Sequence, residues 1–392
     1  MKNVIGVAAE YNPFHLGHAL QLEKSKALLP DSAVVCVMSG DFVQRGEAAI
    51  FPKHLRAEAA VQCGADLVLE LPLPWCLASA EGFARGMVAL LRDSGVVTHM
   101  SFGSECGDAA QLQAVSAAME TEPYREALQA QLKTGVSYAA ALQKALGAVG
   151  ANAAMLDGPN DLLGIEYCNA IAALEADLSS VAIQREGAGH DEVGTGALRS
   201  ASQLRQLLRE GDSICDFLPS EAGKVFAGAP LPDSARLETA ILARLQMLSQ
   251  AAFADTPGAG EGLENLLYQA AHRECTLEAL CMAVKSKRYP LSRIRRMVFL
   301  AALGVTKADA AGLPPYLRVL AANETGRGLL REMKDRAALP ILTKPAAAKE
   351  LPEEARRVFE RTAAGHDLYA LCSSDPAQRA PGGDWRATPI ML

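Results

Sequence analysis

The chain has 392 residues, of which 50% are hydrophobic and 21% are charged, and its formal net charge is −7. This composition excludes a disordered chain and predicts a globular protein of roughly two or three domains. The net negative charge argues against a protein that binds nucleic acid non-specifically over its whole surface. It is compatible with a local basic patch.

The first hundred residues alternate between apolar strands and helices. Strands are predicted over 3–9, 32–39, 66–71 and 96–102, with helices ending near Lys26 and over 53–63 and 80–91. Strands that are apolar on both faces and separated by helices indicate a parallel sheet covered on both sides. Right-handed crossovers then predict an α/β fold class with a Rossmann-like, doubly wound parallel sheet.

Polar segments follow several of these predicted strands. They are residues 10–13, 39–41, 103–105 and Arg185, which comes after a further predicted strand over 181–184. Because such sheets bind ligands at the carboxyl ends of their strands, these segments are predicted to meet at a functional site.

Beyond about residue 205 the pattern changes. Apolar residues recur at helical spacing over 233–252 and 263–285, a loop is predicted at 257–260, and clear strand runs disappear. The tail over 373–388 is rich in Pro, Gly and Asp and is predicted to be more loosely packed than the helices before it. We therefore predict a Rossmann-like domain over residues 1–205 and a mainly α-helical domain over 206–392.

Nine cysteines are scattered without a CxxC pair, several of them inside apolar runs. This pattern is typical of free thiols in a reducing compartment. The apolar start of the chain is too short for a signal peptide, and nothing later approaches the roughly 18 apolar residues of a membrane span. We predict a cytoplasmic protein with no membrane segment.

The strongest chemical signal is the run Phe14-His15-Leu16-Gly17-His18, where the first strand gives way to a helix. A helix N-terminus attracts anions, and Gly17 lets a nucleotide lie close to the backbone. Two histidines at i, i+3 face the same way and can donate hydrogen bonds to a phosphate under attack. The motif predicts a nucleotidyltransferase site.

The motif has three other interpretations. The HxGH spacing could arise by chance on a surface helix, although the preceding buried strand favours a site. A zinc site is disfavoured because no third and fourth ligand accompany His15 and His18. Dinucleotide binding is disfavoured because no GxGxxG follows the first strand.

The run VAAEYNPFHLGH resembles the opening of the tRNA(Met) cytidine acetate ligase family, a branch of the HxGH nucleotidyltransferase superfamily. Further similar segments follow in order: 38–47, 56–58, 64–72, 79–81, 102–105, 107–108, 159–167 and 185–191, and more sparsely 323–328 and 340–344. The resemblance implies a Rossmann-like catalytic domain of HxGH type followed by a helical domain.

The resemblance also implies catalytic roles for His15 and His18 and a set of ATP-binding residues. That set is Ala9, Glu10, Tyr11, Asn12, Pro13, Phe14, His15, Leu16, Gly17, His18, Gly103, Asn160, Arg185, Ser200 and Ser202. Gly103 suits close backbone approach, Asn160 can bond an adenine or ribose edge, and Arg185 can neutralise phosphate. The alternatives are a turn glycine at Gly103 and a helix cap at Asn160.

Ser200 and Ser202 belong to a stretch that resembles the superfamily's second phosphate-binding motif, at a later helix start. Either hydroxyl could cap the helix and donate to the β- and γ-phosphates. The stretch departs from the family pattern because Arg199 stands where a small hydroxyl residue is usual. The effect of Arg199 on phosphate binding is left open.

Residues 285–296 carry six positive charges and no negative one. We predict that this basic run binds the tRNA backbone, with Tyr289 available to stack on an unpaired base. The alternative is a solvated helix face balanced by acids elsewhere. The predicted tRNA-binding residues are Lys285, Lys287, Arg288, Arg293, Arg295 and Arg296.

The reaction implied by the resemblance joins acetate to the wobble cytidine of elongator tRNA(Met). ATP with Mg²⁺ activates acetate as acetyl-adenylate, and N4 of the cytidine takes the acetyl group to form N4-acetylcytidine. Alternatives are a small-molecule adenylyltransferase and a non-catalytic, nucleotide-responsive tRNA-binding protein. No protein-bound metal and no stable protein partner are predicted. The roles of Glu10, Asp41, Arg45 and Glu47 are left open as catalytic or structural.

Overall fold

A computed structural model describes residues 3–185 and 198–392. Most of the segment 185–191, which resembles the family, therefore lies outside the described residues. The strands are β1 (Val4–Ala9), β2 (Ala33–Ser39), β3 (Phe42–Val43), β4 (Glu47–Ala48), β5 (Leu67–Leu71), β6 (His99–Ser104), β7 (Ser179–Gln184), β8 (Leu317–Ala322), β9 (Ile341–Leu342) and β10 (Ile390–Met391).

Helices cover both faces of the sheet and make up most of the chain beyond residue 200. They are α1 (Leu16–Leu28), α2 (Lys53–Gln62), α3 (Ala80–Asp93), α4 (Ala109–Met119), α5 (Glu122–Lys133), α6 (Tyr138–Ala148), α7 (Pro159–Ala173), α8 (Ala201–Glu210), α9 (Ser220–Phe226), α10 (Ser234–Gln246), α11 (Gln250–Ala254), α12 (Leu263–Ala271), α13 (Leu277–Val284), α14 (Leu291–Ala302), α15 (Glu324–Arg336), α16 (Glu353–Ala370) and α17 (Gly383–Arg386). No helix of the described residues has the length and apolar character needed to cross a membrane.

The main sheet has the strand order β10-β8-β5-β2-β1-β6-β7, with β9 paired to β8. Strands β5, β2, β1, β6 and β7 are parallel, which confirms the predicted doubly wound α/β fold. Chain order reverses between β1, which pairs with β2 on one side, and β6 on the other. A crevice for ligands is expected at the carboxyl ends of strands where the order reverses.

Alternating side chains of the strands build a core on each face of the sheet. In β2, Val35 and Val37 point into one core, and Val34, Cys36 and Met38 point into the other. The first core is covered by α3 and α7 and continues into the C-terminal helices, whereas the second is covered by α1, α2, α8 and α9. Burial on both faces explains why β2 is an unbroken apolar run.

The C-terminal half is mainly helical, as predicted, but the expectation that strands disappear there was wrong. Strand β8 pairs antiparallel with β5, and β9 and β10 pair with β8. The run Leu317–Ala322 is fully buried and becomes a strand because the edge of β5 offers unpaired backbone groups. The domain boundary at residue 205 stays a prediction, and the sheet draws strands from both sides of it.

The segment 323–328 closes this junction between the halves. Asn323 caps α15 by accepting a hydrogen bond from the Gly326 N–H, and its Nδ2 donates to Asp66 Oδ1 at 2.9 Å. Gly326 lies so close to the Asp66 carbonyl that a Cβ there would clash with it. Only glycine permits this approach, which explains the Asn-x-x-Gly spacing.

Five buried charged residues, which we call the ionic cluster, tie the tail to the sheet: Asp41, Lys53, Glu70, Arg318 and Asp384. Lys53 Nζ lies 2.8 Å from Glu70 Oε1 and 2.7 Å from Asp384 Oδ2. Arg318 contacts the same two carboxylates at 2.9 and 2.6 Å. The predicted looseness of the tail over 373–388 is therefore wrong around Asp384.

His366 of α16 extends the ionic cluster, with Nδ1 2.8 Å from Asp41 Oδ2. Burial alone would lower the pKa of His366, but the Asp41 carboxylate outweighs it and raises that pKa above its usual value. The stabilisation from protonated His366 is thus complete below about pH 6.5 and is lost as the pH rises through the raised pKa.

We expect His366→Gln to lower the free energy of unfolding by about 1.5–3 kcal/mol at pH 6, the cost of losing a hydrogen bond to a charged group. The loss should be smaller at pH 9, because the charge on His366 is lost as the pH rises through its raised pKa. Urea denaturation at both pH values measures the difference. An equal loss at pH 6 and pH 9 would contradict the raised pKa.

Candidate functional site

The HxGH motif forms the N-terminus of α1, at the end of β1. His15 is the N-cap residue, and its Nδ1 accepts a hydrogen bond from the Gly17 N–H at 3.0 Å. His18 reaches back one turn, and its Nδ1 accepts from the His15 N–H at 3.3 Å. The two histidines thus form a capping box at the helix start.

The two imidazole rings stack with their centroids 3.8 Å apart. Burial, with Arg185 and Arg205 nearby, lowers the pKa of His15 to about 3. Burial, with His15 and Arg185 nearby, lowers the pKa of His18 well below its usual value. Both rings are therefore neutral at physiological pH. Because each Nδ1 is an acceptor, each Nε2 carries the proton and is a hydrogen-bond donor.

We expect ¹⁵N NMR of histidine-labelled protein to show His15 and His18 unprotonated at Nδ1 and protonated at Nε2 throughout pH 5–8. The same residues in urea should titrate near pH 6.5, the value for an exposed imidazole. Titration of either residue between pH 6 and 7 in the folded protein would contradict the assignment.

The rest of the loop from Ala9 to His18 is anchored by side chains that point into the protein core. Tyr11 and Phe14 are buried in the core, and the Tyr11 hydroxyl lies 3.3 Å from Cys36 Sγ. Asn12 Oδ1 accepts from the Ile50 N–H at 2.7 Å. With these side chains turned inward, Tyr11, Asn12 and Phe14 shape the loop, and the rings of Tyr11 and Phe14 pack against His18.

A buried arginine fastens this loop to the end of β2. The Arg56 guanidinium donates to the carbonyls of Glu10, Ser39, Gly40 and Phe51. It has no carboxylate partner among the described residues, and burial lowers its pKa. Arg56 therefore acts as a rigid bridge that sets the position of the loop against the sheet.

Gly103 and Arg185 lie together on the neighbouring strands β6 and β7. A Cβ at Gly103 would lie 3.4 Å from Arg185 Cγ, so the arginine side chain runs across the glycine. Arg185 is exposed at the end of β7, and its charge acts on both His15 and His18. The structure thus brings these two predicted residues to the HxGH loop across the β1–β6 crevice.

Asn160 stands at the start of α7, where Glu105 holds it. Asn160 Nδ2 donates to Glu105 Oε1 at 2.5 Å, and the Asp161 N–H donates to Glu105 Oε2 at 2.6 Å. The cap of α7 is therefore the Glu105 carboxylate. Asn160 itself is at the second helical position, not at the cap.

The second predicted phosphate motif forms the start of α8. Ser200 is its N-cap residue, as expected, and its Oγ lies 3.0 Å from Ser202 Oγ. Arg199 lies over the Phe217 ring at 4.9 Å. Arg205, one turn into α8, donates to the Asn12 carbonyl at 2.9 Å. This bond places the start of α8 beside the HxGH loop.

A short hairpin, β3–β4, connects the loop to the helical half. The Gln44 N–H donates to Glu10 Oε1 at 2.7 Å, and Glu47 Oε1 accepts from Arg205 at 2.7 Å. At its tip, Gly46 has φ +76, and a Cβ there would lie 2.6 Å from the Arg296 backbone nitrogen. Glu10 and Glu47 therefore anchor the hairpin, which touches α14 through its glycine tip.

The predicted basic run lies partly on the surface and partly packed. Lys285, Lys287, Arg288 and Arg295 are exposed, and Arg293 and Arg296 are half-buried. Glu261 neutralises Arg293 at 3.1 Å and Arg288 at 3.6 Å.

The expectation that Tyr289 stacks on a base was wrong. The ring is 6% exposed, and its hydroxyl donates to the Glu261 carbonyl. The Tyr289 ring packs against apolar side chains of the helical half. This arrangement is favoured because burying a tyrosine removes a large apolar surface from water.

Three supporting residues were not predicted to belong to the site: Gln44, Arg56 and Arg205. Gln44 and Arg56 stand in segments that resemble the family, and Arg205 closes the stretch that contains Ser200 and Ser202, so position in a motif was their only signal. Glu105 belongs to the polar segment 103–105 that was predicted to reach the site, but its contact with Asn160 was not predicted. The contacts of these residues lie 34 or more residues away along the chain in each of the bonds Gln44–Glu10, Arg56–Glu10, Asn160–Glu105 and Arg205–Asn12.

Comparison with known proteins gives one consistent relationship. The chain matches the family described as HIGH Nucleotidyl Transferase over residues 1–382. It is 32% identical to a tRNA(Met) cytidine acetate ligase of Acetivibrio thermocellus, covering 99% of this chain and 100% of the relative. It is 36% identical to one of a Thermoanaerobacter species, covering 94% and 95%.

Solved structures agree. The fold matches that of Thermotoga maritima TmcAL bound with alpha-thio ATP with a TM-score of 0.91 and 30% identity, covering 100% of this chain and 99% of the other. The apo form of that protein matches with a TM-score of 0.93 over the same coverage. The chain therefore belongs to the HIGH nucleotidyl transferases and, among them, to the family of tRNA(Met) cytidine acetate ligases.

Proposed function

We propose that this protein is an ATP-dependent ligase that forms N4-acetylcytidine at the wobble position of elongator tRNA(Met). The observation that carries the proposal is the stacked pair His15 and His18, whose Nδ1 atoms both accept backbone N–H groups. Each neutral ring then keeps an Nε2–H donor at the end of β1, beside the β1–β6 switch point where a nucleotide is expected.

In the first step, an oxygen of acetate attacks the α-phosphorus of ATP. The bond from that phosphorus to the bridging oxygen breaks, and pyrophosphate leaves with the electron pair. His15 and His18 donate hydrogen bonds to the α-phosphate oxygens as negative charge builds up on them. The products are enzyme-bound acetyl-adenylate and pyrophosphate.

The cationic and polar side chains around the HxGH loop suit the binding of ATP. Arg185 is exposed beside Gly103, where it can approach the phosphates. Ser200 and Ser202 at the start of α8 would donate to the β- and γ-phosphates, with the helix N-terminus adding to the attraction. Asn160 would bond the adenosine through its carbonyl oxygen, since its Nδ2 is held by Glu105.

Mg²⁺ enters this proposal as the ion that accompanies the pyrophosphate of ATP. The described residues contain no group of three His, Cys, Asp or Glu side chains placed to hold a metal.

In the second step, N4 of the cytidine attacks the acetyl carbon of the adenylate. AMP leaves with the electron pair of the bond from the acetyl carbon to oxygen, and the amine loses a proton. The mixed anhydride is needed because acetate is a poor electrophile and the cytosine amine a poor nucleophile. An unpaired anticodon base is accessible to such a site, unlike a base in a duplex.

The basic run supports an RNA substrate. Lys285, Lys287 and Arg295 are exposed, and no described carboxylate lies within ion-pair distance of them. Helix α14 carries Arg295 and Arg296 to the tip of the hairpin that is bonded to Glu10. Phosphates bound along this run would hold the anticodon loop beside the HxGH site.

The proposal is tested by incubating the protein with Mg-ATP, isotopically labelled acetate and unmodified bulk tRNA, then digesting the RNA for mass spectrometry. We expect labelled N4-acetylcytidine that depends on both ATP and acetate. Pyrophosphate release with a small-molecule acceptor and no labelled RNA would favour a small-molecule adenylyltransferase. ATP and tRNA binding without turnover would favour a non-catalytic binding protein.

Substitutions in the basic run distinguish an RNA substrate from the alternative of a small-molecule substrate. We expect the triple variant K285A/K287A/R295A to weaken tRNA binding and to reduce the slope of log Kd against log salt by about 2, because fewer counterions are released. Filter binding at several salt concentrations measures this. The control K133A/K144A/K334A removes three exposed lysines elsewhere. Equal slopes for the two triple variants would contradict a role of the run.

The cytoplasm is the proposed location, because the proposed substrates ATP and tRNA are present there. The nine cysteines are free thiols in the structure, as a reducing compartment requires.

A further inference from the structure

We infer that a cavity between α3 and the helical half binds one unstacked nucleotide of the RNA substrate, next to the cytidine that is acetylated. This inference rests on the proposed function for the identity of the RNA. The cavity has a volume of about 330 Å³, and its lining includes Pro74, Trp75, Ala78, Arg85, Pro257, Leu300 and Ala310. Its walls come from both halves of the chain.

The lining suits a base with its phosphate. Prolines, Trp75 and Leu300 supply flat or apolar surfaces, which bind the face of any base without reading its sequence. The volume is at the lower end of the roughly 300–1,000 Å³ of small-ligand sites, and it suits a single nucleotide. A larger stretch of RNA would have to remain outside.

The charge of the cavity favours an anionic ligand. Arg85 is the one charged side chain among the described lining residues, and no carboxylate lines the cavity. Arg85 is exposed on α3, and no described acidic group forms an ion pair with it. An exposed guanidinium beside an apolar cavity can hold a phosphate while the base is buried.

The cavity lies beside the HxGH loop but is separate from it. Gln44 Nε2 donates to the carbonyl of Ala78 on the cavity wall at 3.3 Å, and the Gln44 N–H donates to Glu10 Oε1 at 2.7 Å. One residue therefore separates the cavity from the loop. A base in the cavity is not the base at the reacting phosphate, and for this reason we assign it to a neighbouring nucleotide.

The basic run leads to the same cavity. Leu300 lies four residues after Arg296 on α14, so the two share one face of the helix. Arg293 donates to the carbonyl of Gly258, the residue after Pro257 of the cavity wall. A strand of RNA that follows these arginines would pass the mouth of the cavity, where one base could turn in.

Binding can be measured directly because the chain has two tryptophans and one of them, Trp75, lines the cavity. In the variant Trp385→Phe, Trp75 is the single fluorophore of its kind. We expect its emission to change saturably with a five-nucleotide single-stranded RNA that has cytidine at its centre. The change should disappear when Ala310→Phe is added, because the ring fills the cavity from its wall. Emission that is unaffected by the RNA would overturn the inference.

CMP and ATP serve as further probes, because they distinguish a free nucleotide from a nucleotide of an RNA chain as the occupant of the cavity. A response of Trp75 to CMP or ATP, with none to the oligonucleotide, would make the cavity a site for free nucleotides and would overturn the assignment to RNA. This arm does not depend on turnover. It therefore decides the inference even if the wild-type protein acetylates no tRNA, an outcome that would refute the proposed function alone.

Kinetics test the same site in the full reaction. We expect Arg85→Glu to raise KM for tRNA about 5- to 20-fold, while acetate-dependent exchange of pyrophosphate into ATP keeps its wild-type rate. Arg331→Glu makes the same charge change at an exposed position of α15 and should leave both quantities unchanged. Equal KM values for Arg85→Glu and Arg331→Glu would overturn the inference.

Discussion

His18→Ala is expected to lower the rate of acetate-dependent pyrophosphate exchange by about 10²–10³-fold. The substitution removes one of the two Nε2–H donors that we assign to the α-phosphate. It also leaves the His15 N–H without its capping partner, since His18 Nδ1 accepts that group at 3.3 Å. Exchange measures adenylate formation without RNA, so the effect is isolated to the first step.

The loss of the cap should cost stability but not the fold. Replacing a capping side chain by alanine costs about 1 kcal/mol, so His18→Ala should show a native circular dichroism spectrum and a small decrease in Tm. His272→Ala serves as the control, because His272 is an exposed histidine at the end of α12. Full exchange activity in folded His18→Ala would rule out the assigned role.

Asp384→Asn is expected to lower the free energy of unfolding by about 3–5 kcal/mol, the usual cost of breaking a buried ion pair by removing one partner. Asp384 is 0% exposed and faces Lys53 Nζ at 2.7 Å and Arg318 Nη1 at 2.6 Å. The amide would keep the shape of the carboxylate but leave the two cations with less negative charge around them.

Urea denaturation measures this loss. Asp335→Asn makes the same chemical change at an exposed position and should stay within about 0.5 kcal/mol of wild type. The double variant R318M/D384L should recover part of the stability, because it removes opposite charges together and fills the space with apolar atoms. An Asp384→Asn protein as stable as wild type would show that the ionic cluster does not hold the tail.

The sequence alone was sufficient for the parallel sheet and the HxGH loop. Residues 33–39 are apolar on both faces, and a run of this kind is stable only as a strand covered on both sides. The histidine spacing follows from one helical turn, so His15 and His18 had to share one end of α1. Ser200 and Ser202 were both predicted as candidates for a helix cap for the same local reason, and the structure assigns the cap to Ser200.

Other features could not be predicted, because they depend on partners far along the chain. Strand β8 is a six-residue apolar run that is a strand because the edge of β5 pairs with it. Lys53 and Asp384 are 331 positions apart, so no local pattern relates their charges. The same holds for Tyr289, whose hydroxyl donates to the carbonyl of Glu261, 28 positions earlier, and whose ring is buried.

The sequence by itself thus determined the parallel strand segments, the helix start at the HxGH motif and the helix cap at Ser200. These are local properties, set by side-chain periodicity and by hydrogen bonds within a few residues. Only the tertiary structure decided that Arg56 and Gln44 support the loop, that Asn160 is held by Glu105, and that a cavity opens between the halves. Those contacts form where distant segments pack together, and packing depends on the shape of the whole chain rather than on any one segment.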